Sequence, residues 1–373
     1  MGALYEQVYE SLKQDILSLK YNIGEKIPSE QEIADAFSVS RITSKRALEK
    51  LVQEGFVKRQ RGKGTFVLKT NESAVRSEKE NNSKPVFGLI VPNFDTSFGI
   101  GIIEGIEEAA HGECLIMLKR SLGIPEREED AIKELLEYGV DGLIVFPAKS
   151  QYYSSEILKM IVNKFPFVLI DRSFHGIAAP SVTTDNFHAA KKGINYLFDL
   201  GHEQIGILIP EDYEITTIKE RLNGIVSAFA ENKVSVNRAY WCDTIKRISA
   251  TEKRDIALMK QYLEENPDLT ALMALEYKIA VLAKIAVEQL GKKVPENISI
   301  LSFDSPTVTS SQWRFTHLKQ NESEIGRRAL QMLLYMQEHG LGSDKEQVKA
   351  TFQEGNSTRS LIDTSISDVD LEK

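Results

Sequence analysis

Residues 27–67 constrain this chain more than any other stretch, because they spell two helices, a tight turn and a hairpin with the boundary signals in place. Ser29 followed three residues later by Glu32 is a capping box, in which hydroxyl and carboxylate each satisfy a backbone N–H that the first helical turn leaves unpaired. The helix it opens is expected to turn Ile33, Ala36 and Phe37 toward a core. Ser38-Val39 reads as a tight turn. Ser40 can cap a second helix that buries Ala47, Leu48, Leu51 and Val52 and stops at Gly55. Phe56-Val57 and Thr65-Phe66-Val67 predict two strands around Arg61-Gly62-Lys63-Gly64, a glycine-tipped wing. Two helices joined by a short turn form the unit whose second helix enters the DNA major groove.

Charge agrees with that reading once its distribution is considered. The chain of 373 residues carries a net charge of −8, which taken whole argues against a nucleic-acid partner. Between Arg41 and Lys69, however, nine basic residues face only two acidic ones, Glu49 and Glu54. The acidity belongs to the rest of the chain, and the basic patch coincides with the second helix and the wing.

These 40 or so residues and their flanks (about residues 4–68) resemble the winged-helix domain of the GntR family of bacterial repressors. P-S-E at the first helix, S-R-x-T at the second and G-x-G-T-F in the wing occur together and in order. The resemblance implies double-stranded operator DNA as a partner, with Ser40, Arg41, Thr43, Lys45, Arg46, Gly62, Lys63, Gly64 and Thr65 at the interface. Arg41, just inside the Ser40 cap, can present a guanidinium fork to guanine O6 and N7. Lys45 stands where the family usually has arginine, and a point donor leaves the base preference there less defined. Thr43 suits a thymine methyl or a phosphate. The wing glycines let the backbone approach DNA closely.

Residues 70–84 are polar and end at Pro85, as an exposed linker between domains would. Beyond them short apolar runs alternate with helical segments: 86–91, 115–117, 142–146, 167–170, 205–209, 271–274 and 298–303. Continuous apolar runs bounded by turns predict strands buried on both faces, hence parallel sheets flanked by helices. Such sheets bind ligands beyond the carboxyl ends of their strands.

The phrases that follow those strands resemble the effector domain of the lactose-repressor family and the periplasmic ribose-binding proteins. I-I-E-G-I-E-E-A-A at 102–110, V-D-G-L-I-V-F-P at 140–147, P-F-V-L-I-D-R at 166–172 and V-T-T-D-N at 182–186 come first. L-G-H-E-Q-I-G at 200–206, R-L-N-G at 221–224, V-P-E-N-I-S-I-L-S-F-D at 294–304 and F-T-H-L-K-Q at 315–320 follow in family order. The implied fold class is an N-terminal winged helix-turn-helix plus an α/β two-lobed, periplasmic-binding-protein-like domain with parallel sheets. The expected domains are residues 1–69, a linker 70–84, and an effector-binding and dimerisation domain 85–373. Its first lobe is expected at about 85–184 and 317–342, its second at about 185–316 and 343–362. The whole arrangement resembles that of Gram-positive arabinose repressors, although the linker shows no leucine-bearing hinge helix.

The resemblance also implies a ligand set. Asp171-Arg172 match the pair that holds ribose in ribose-binding proteins, Arg221 the next cationic ligand, Asp304 the late acidic one and Gln320 the crossover amide. Phe98 fits the stacking aromatic, and Lys149 a P-x-K-S found in arabinose repressors. The family usually has Asn-Asp where this chain has Glu276-Tyr277, and a second aromatic where it has Gly99, so the effector is expected to differ in size or hydroxyl pattern. A ring-shaped polyol needs such donors and acceptors around its hydroxyls and a flat apolar surface beside its ring.

The expected protein is a cytoplasmic homodimeric repressor, released from a palindromic operator by a small sugar such as arabinose or another pentose or hexose. The N-terminus lacks a basic segment followed by an apolar one, and no window is long and apolar enough to span a membrane. Cys114 and Cys242 read as buried thiols, and six scattered histidines show no metal spacing, so no cofactor is implied. Two other readings stand beside this one. A purine or phosphorylated ligand would use Arg172, Arg221 and Lys149, with Asp171, Glu276 and Asp304 opposing it. An enzyme on the same scaffold would need a nucleophile–base pair that the sequence does not display.

Overall fold

The computed structural model describes residues 4–18, 20–22, 24–60, 63–68, 84–93, 98–148, 154–174, 176–211, 215–246, 252–305, 313–340, 342 and 344–362. They fall in two compact units, residues 1–84 and 85–373.

In the first unit, α1 (Leu4–Leu17), α2 (Glu30–Ala36) and α3 (Arg41–Gln53) surround a core closed by a small sheet. That sheet has β1 (Lys26–Ile27), β2 (Val57–Gln60) and β3 (Gly64–Val67) in the antiparallel order β1-β3-β2. The capping box forms as expected: Glu32 N–H donates to Ser29 Oγ at 3.3 Å, and Ser29 N–H donates to the Glu32 carboxylate at 2.7 Å. Ser40 caps α3 by accepting from Thr43 N–H at 3.2 Å.

The core departs from expectation in its helical phase. Ile33 and Ala34 are buried on α2, whereas Ala36 and Phe37 are exposed. On α3 the buried set is Ser44, Ala47, Leu48 and Leu51, and Val52 lies outside it. This i, i+3, i+4, i+7 stripe is one helix face. A serine qualifies because its hydroxyl donates to Glu30 O at 2.7 Å and Arg41 O at 3.0 Å, so its burial leaves nothing unpaired. Val8, Tyr9, Leu12 and Ile16 of α1 complete the core. The first wing strand begins at Val57 and runs to Gln60, later than the expected Phe56-Val57.

The second unit is built on two six-stranded sheets. One has the order β14-β8-β7-β6-β4-β5, from β4 (Val86–Val91), β5 (Leu115–Arg120), β6 (Gly142–Val145), β7 (Phe167–Ile170), β8 (Ser181–Thr184) and β14 (Lys345–Val348). The other has the order β10-β9-β11-β12-β13-β15, from β9 (Ile205–Pro210), β10 (Trp241–Ile245), β11 (Ala271–Ala274), β12 (Ser299–Phe303), β13 (Thr316–Lys319) and β15 (Thr351–Gln353). Every neighbouring pair is parallel except β13–β15. The lobes are therefore near-repeats, with β7 of the first corresponding to β12 of the second.

Helix packing repeats too. In the first lobe α4 (Ile100–Ala110) packs along α11 (Glu322–His339); in the second, α7 (Asn186–Asp199) packs along α8 (Thr216–Glu231). Both contacts need a glycine. A Cβ at Gly105 would stand 2.2 Å from Ser323 O, and one at Gly224 would stand 2.1 Å from Phe187 O. Neither backbone could yield without parting the helices. The other α-helices among the described residues of this unit are α5 (Pro125–Tyr138), α6 (Ser155–Val162), α9 (Glu252–Glu265) and α10 (Tyr277–Gln289).

The pairing shifts two of the expected lobe boundaries. β13 belongs to the second-lobe sheet although it was expected to open the return to the first, and β14 pairs with β8 of the first. The chain thus crosses near 185, at 320–321 and at 349–350. Strands such as Ser-Val-Thr-Thr at 181–184 and Thr-His-Leu-Lys at 316–319 lack the apolar runs used to find the others, yet Ser181, Thr184 and Thr316 are buried. Burial of polar strand residues depends on partners distant in sequence, which no local pattern records. Cys114 and Cys242 are both buried, and neither is in a disulfide. Among the described residues no helix is long and apolar enough to cross a membrane.

Candidate functional site

Two surfaces collect the residues singled out from sequence. On the first unit, the α3 cap leaves Arg41 with its side chain 70% exposed. Its Nε lies 3.5 Å from Glu30, whose other oxygen accepts from Arg59 Nη2 at 2.7 Å. One carboxylate thus steadies an arginine of the helix and an arginine of the wing. Thr43 Oγ1 shares a 2.8 Å hydrogen bond with Ser40 Oγ, tying that side chain to the cap. Lys45 pairs loosely with Glu49 at 3.8 Å, and Arg46 lies over the Tyr5 ring at 4.2 Å. Lys63 is exposed at the wing, with Gly64 and Thr65 half-buried behind it. Gly64 has φ +128°, and a Cβ there would meet Lys26 of β1, a local reason for glycine beside any approach to DNA. Gly62 lies outside the described residues. Ile42 escaped the sequence reading. It is 79% exposed, next to Arg41 and out of phase with the buried stripe, and that phase is the signal that could have found it.

On the second unit, Phe98, Asp171, Arg172, Arg221, Glu276, Asp304 and Gln320 all line one cavity of about 350 Å³. Lys149 lies outside the described residues. The cavity sits at carboxyl ends of parallel strands: Asp171-Arg172 follow β7, Glu276 follows β11, Asp304 follows β12 and Lys246 follows β10. Asp171 (φ +62°) and Asp304 (φ +58°) occupy equivalent places in the two lobes and share the left-handed conformation that aspartate tolerates better than most residues.

Each charged group is held. Arg221, 4% exposed, donates from Nε to Asn186 Oδ1 at 2.8 Å and from Nη1 to Leu275 O at 2.6 Å. Its guanidinium lies 3.8 Å from the centre of the Phe303 ring. Burial lowers its pKa, opposed first by Asp304 and then by Asp171. Asp304 accepts from Gln320 N–H at 3.1 Å and Gln320 Nε2 at 2.7 Å. Burial pushes its carboxyl up to about 7 against the pull of Arg221 and Gln320. Burial likewise raises Asp171, against Arg172 and Arg221.

Arg172 Nη1 donates to Pro147 O at 3.1 Å and Ala148 O at 2.8 Å, with the guanidinium 5.3 Å from the Phe146 ring centre. Its Nε is sealed from solvent without a hydrogen-bond partner, 3.6 Å from Asp171 Oδ2. Phe98 meets Phe146 edge-on at 6.2 Å. The lining also includes Asn93, Phe146, Thr217, Lys246, Tyr277 and Lys278. Of these, Asn93 carried a usable signal, since it lies just beyond the apolar strand β4, whereas Lys246 follows β10, whose Trp-Cys-Asp-Thr-Ile is no apolar run. Among the described residues no cluster of His, Cys, Asp or Glu is placed to hold a metal ion.

Comparison with known proteins agrees with this division. Residues 4–67 match the bacterial regulatory proteins of the gntR family, and residues 194–358 match the periplasmic binding protein-like domain. The arabinose metabolism transcriptional repressor of Geobacillus stearothermophilus is 28% identical over 88% of this chain and 90% of its own length. The HTH-type transcriptional repressor CytR of Escherichia coli is 28% identical over 77% of this chain and 82% of its own. Among solved structures, transcription regulator CcpA of Lactococcus lactis superposes with a TM-score of 0.65 at 21% identity, covering 74% of this chain and all of its own. A LacI family regulator of Enterococcus faecium with bound ribose gives 0.61 at 22%, with the same coverage. The chain is a transcriptional repressor of composite type, a gntR-type helix-turn-helix domain followed by a periplasmic-binding-protein-like domain.

Proposed function

We propose that this repressor binds a palindromic operator as a homodimer in the cytoplasm and releases it when a small neutral sugar closes the cavity of the second unit. The observation that carries the sugar is the pairing of acid with base on both lobes. Asp171 with Arg172 and Arg221 with Asp304 offer alternating acceptors and donors to hydroxyls. Phe98 and Phe146 supply apolar ring surface. The volume, about 350 Å³, lies within the roughly 300–1,000 Å³ usual for small-molecule sites. For DNA, the exposed Arg41 at the capped end of α3, with Lys45 beside it and Lys63 on the wing, supports base contact from the helix and phosphate contact from the hairpin.

A second reading is favoured by one feature. Arg172, Arg221, Lys246 and Lys278 give the lining four cations against three acids, Asp171, Glu276 and Asp304, which suits a phosphorylated ligand or a purine nucleotide. Calorimetric titration of the full chain with neutral pentoses and hexoses, sugar phosphates and purines decides between them. Binding of a neutral sugar, with loss of operator affinity in a parallel gel shift, is the expected result. Binding of only phosphorylated or purine compounds would replace the first reading with the second, and turnover of a bound sugar would overturn both.

A further inference from the structure

Thr184 and Asn186 flank the first crossover between the lobes and line no part of the cavity, yet both are completely buried. Thr184 Oγ1 donates to Gln320 Oε1 at 2.7 Å, joining the first crossover to the second. That bond decides which way the Gln320 amide faces: its oxygen is engaged, so its Nε2 is turned to Asp304. Asn186 is oriented by the same logic. Its Nδ2 donates to Thr184 O at 3.0 Å and reaches Glu220 at 3.4 Å, which leaves Oδ1 to accept from Arg221 Nε. The Thr184 carbonyl and the Arg221 Nε–H allow only this orientation of Asn186, and reversing Gln320 would set its oxygen against the Asp304 carboxylate whenever that group is ionised.

We propose that Thr184 and Asn186 are positioning residues through which the lobe crossovers hold Arg221 and Asp304 in their effector-binding orientation. This rests on the cavity being the effector site. Lobe closure turns backbone angles at the crossovers, and here the crossover residues themselves hold two buried charged groups that line the cavity, Arg221 and Asp304. Hinge angle and ligand-group orientation are then one variable, so a ligand that favours one orientation favours one hinge state.

The test uses the full chain labelled with ¹⁵N-arginine, where Arg221→Met identifies the Arg221 Nε–H resonance. In the wild type this proton should persist at neutral pH. Asn186→Leu should speed its exchange by about tenfold or more, the equivalent of one hydrogen bond to a charged group. In titrations with L-arabinose and D-ribose, Thr184→Val should weaken binding about tenfold while Thr184→Ser stays within about threefold of wild type. An Asn186→Leu protein with a wild-type Arg221 signal overturns the positioning role, and so does undiminished sugar affinity in Thr184→Val. Should Asn186→Leu fail to fold, Asn186→Ala takes its place, and a wild-type Arg221 signal in that variant would equally overturn the role. A wild type that binds neither sugar but shows the Asn186-dependent Arg221 signal would count against the sugar reading and uphold the positioning.

Discussion

Glu128 of α5 offers the sharpest energetic test, because it holds the segment that receives Arg172 without itself lining the cavity. It is 2% exposed, and its carboxylate accepts from the Ala148 N–H, on the same peptide segment whose carbonyls receive Arg172. Burial pushes its carboxyl up to about 7, against the pull of the Ala148 N–H and of Arg172. The folded protein therefore keeps this proton to higher pH than the unfolded chain does. Its contribution to stability is fully present below about pH 4.5 and is lost as pH rises through 7. That span corresponds to roughly 3 kcal/mol. Glu128→Gln keeps an oxygen for Ala148 and removes the charge. It should match wild type at pH 4.5 and exceed it by roughly 3 kcal/mol above pH 8, raising the melting temperature of the second unit by roughly 5 °C or more. Scanning calorimetry of both proteins from pH 4.5 to 8.5 reads the difference directly. Parallel melting curves across that range would show that Glu128 is not held protonated by its burial, and the reasoning would fail.

Other outcomes follow from the two surfaces. Arg41→Ala should cost about 1–3 kcal/mol per operator half-site and leave sugar binding intact, whereas Lys63→Ala should weaken all DNA alike and lower the salt slope by about one; gel shifts over a salt series separate the two. Arg221→Met should destabilise the second unit by about 3 kcal/mol, since Asp171 and Asp304 lose their shared counter-charge, and should give a repressor that holds its operator at any sugar concentration. A reporter assay at saturating sugar measures that. Residues 85–373 expressed alone should fold and sediment as a dimer at micromolar concentration; a monomer would move the dimer contact to the first unit.

Features that depend on neighbours within a turn or a strand were legible along the chain. Ser29 and Glu32 lie three residues apart, so their capping box could be read directly, as could the Ser40 cap and the apolar strands from Val86 to Phe303. Residues following those strands were good candidates for the cavity, because a parallel sheet brings all its carboxyl ends to one edge. Long-range packing set the helix phase that buries Ser44 and exposes Phe37, the polar strands β8 and β13, and the lobe to which β14 belongs. The same holds for the groups behind the site. Thr184 meets Gln320 across 136 residues of chain, and Asn186 meets Arg221 across 35. A buried hydroxyl or amide is acceptable only when a specific partner satisfies it, and that partner is chosen by how the lobes pack rather than by anything within reach along the chain.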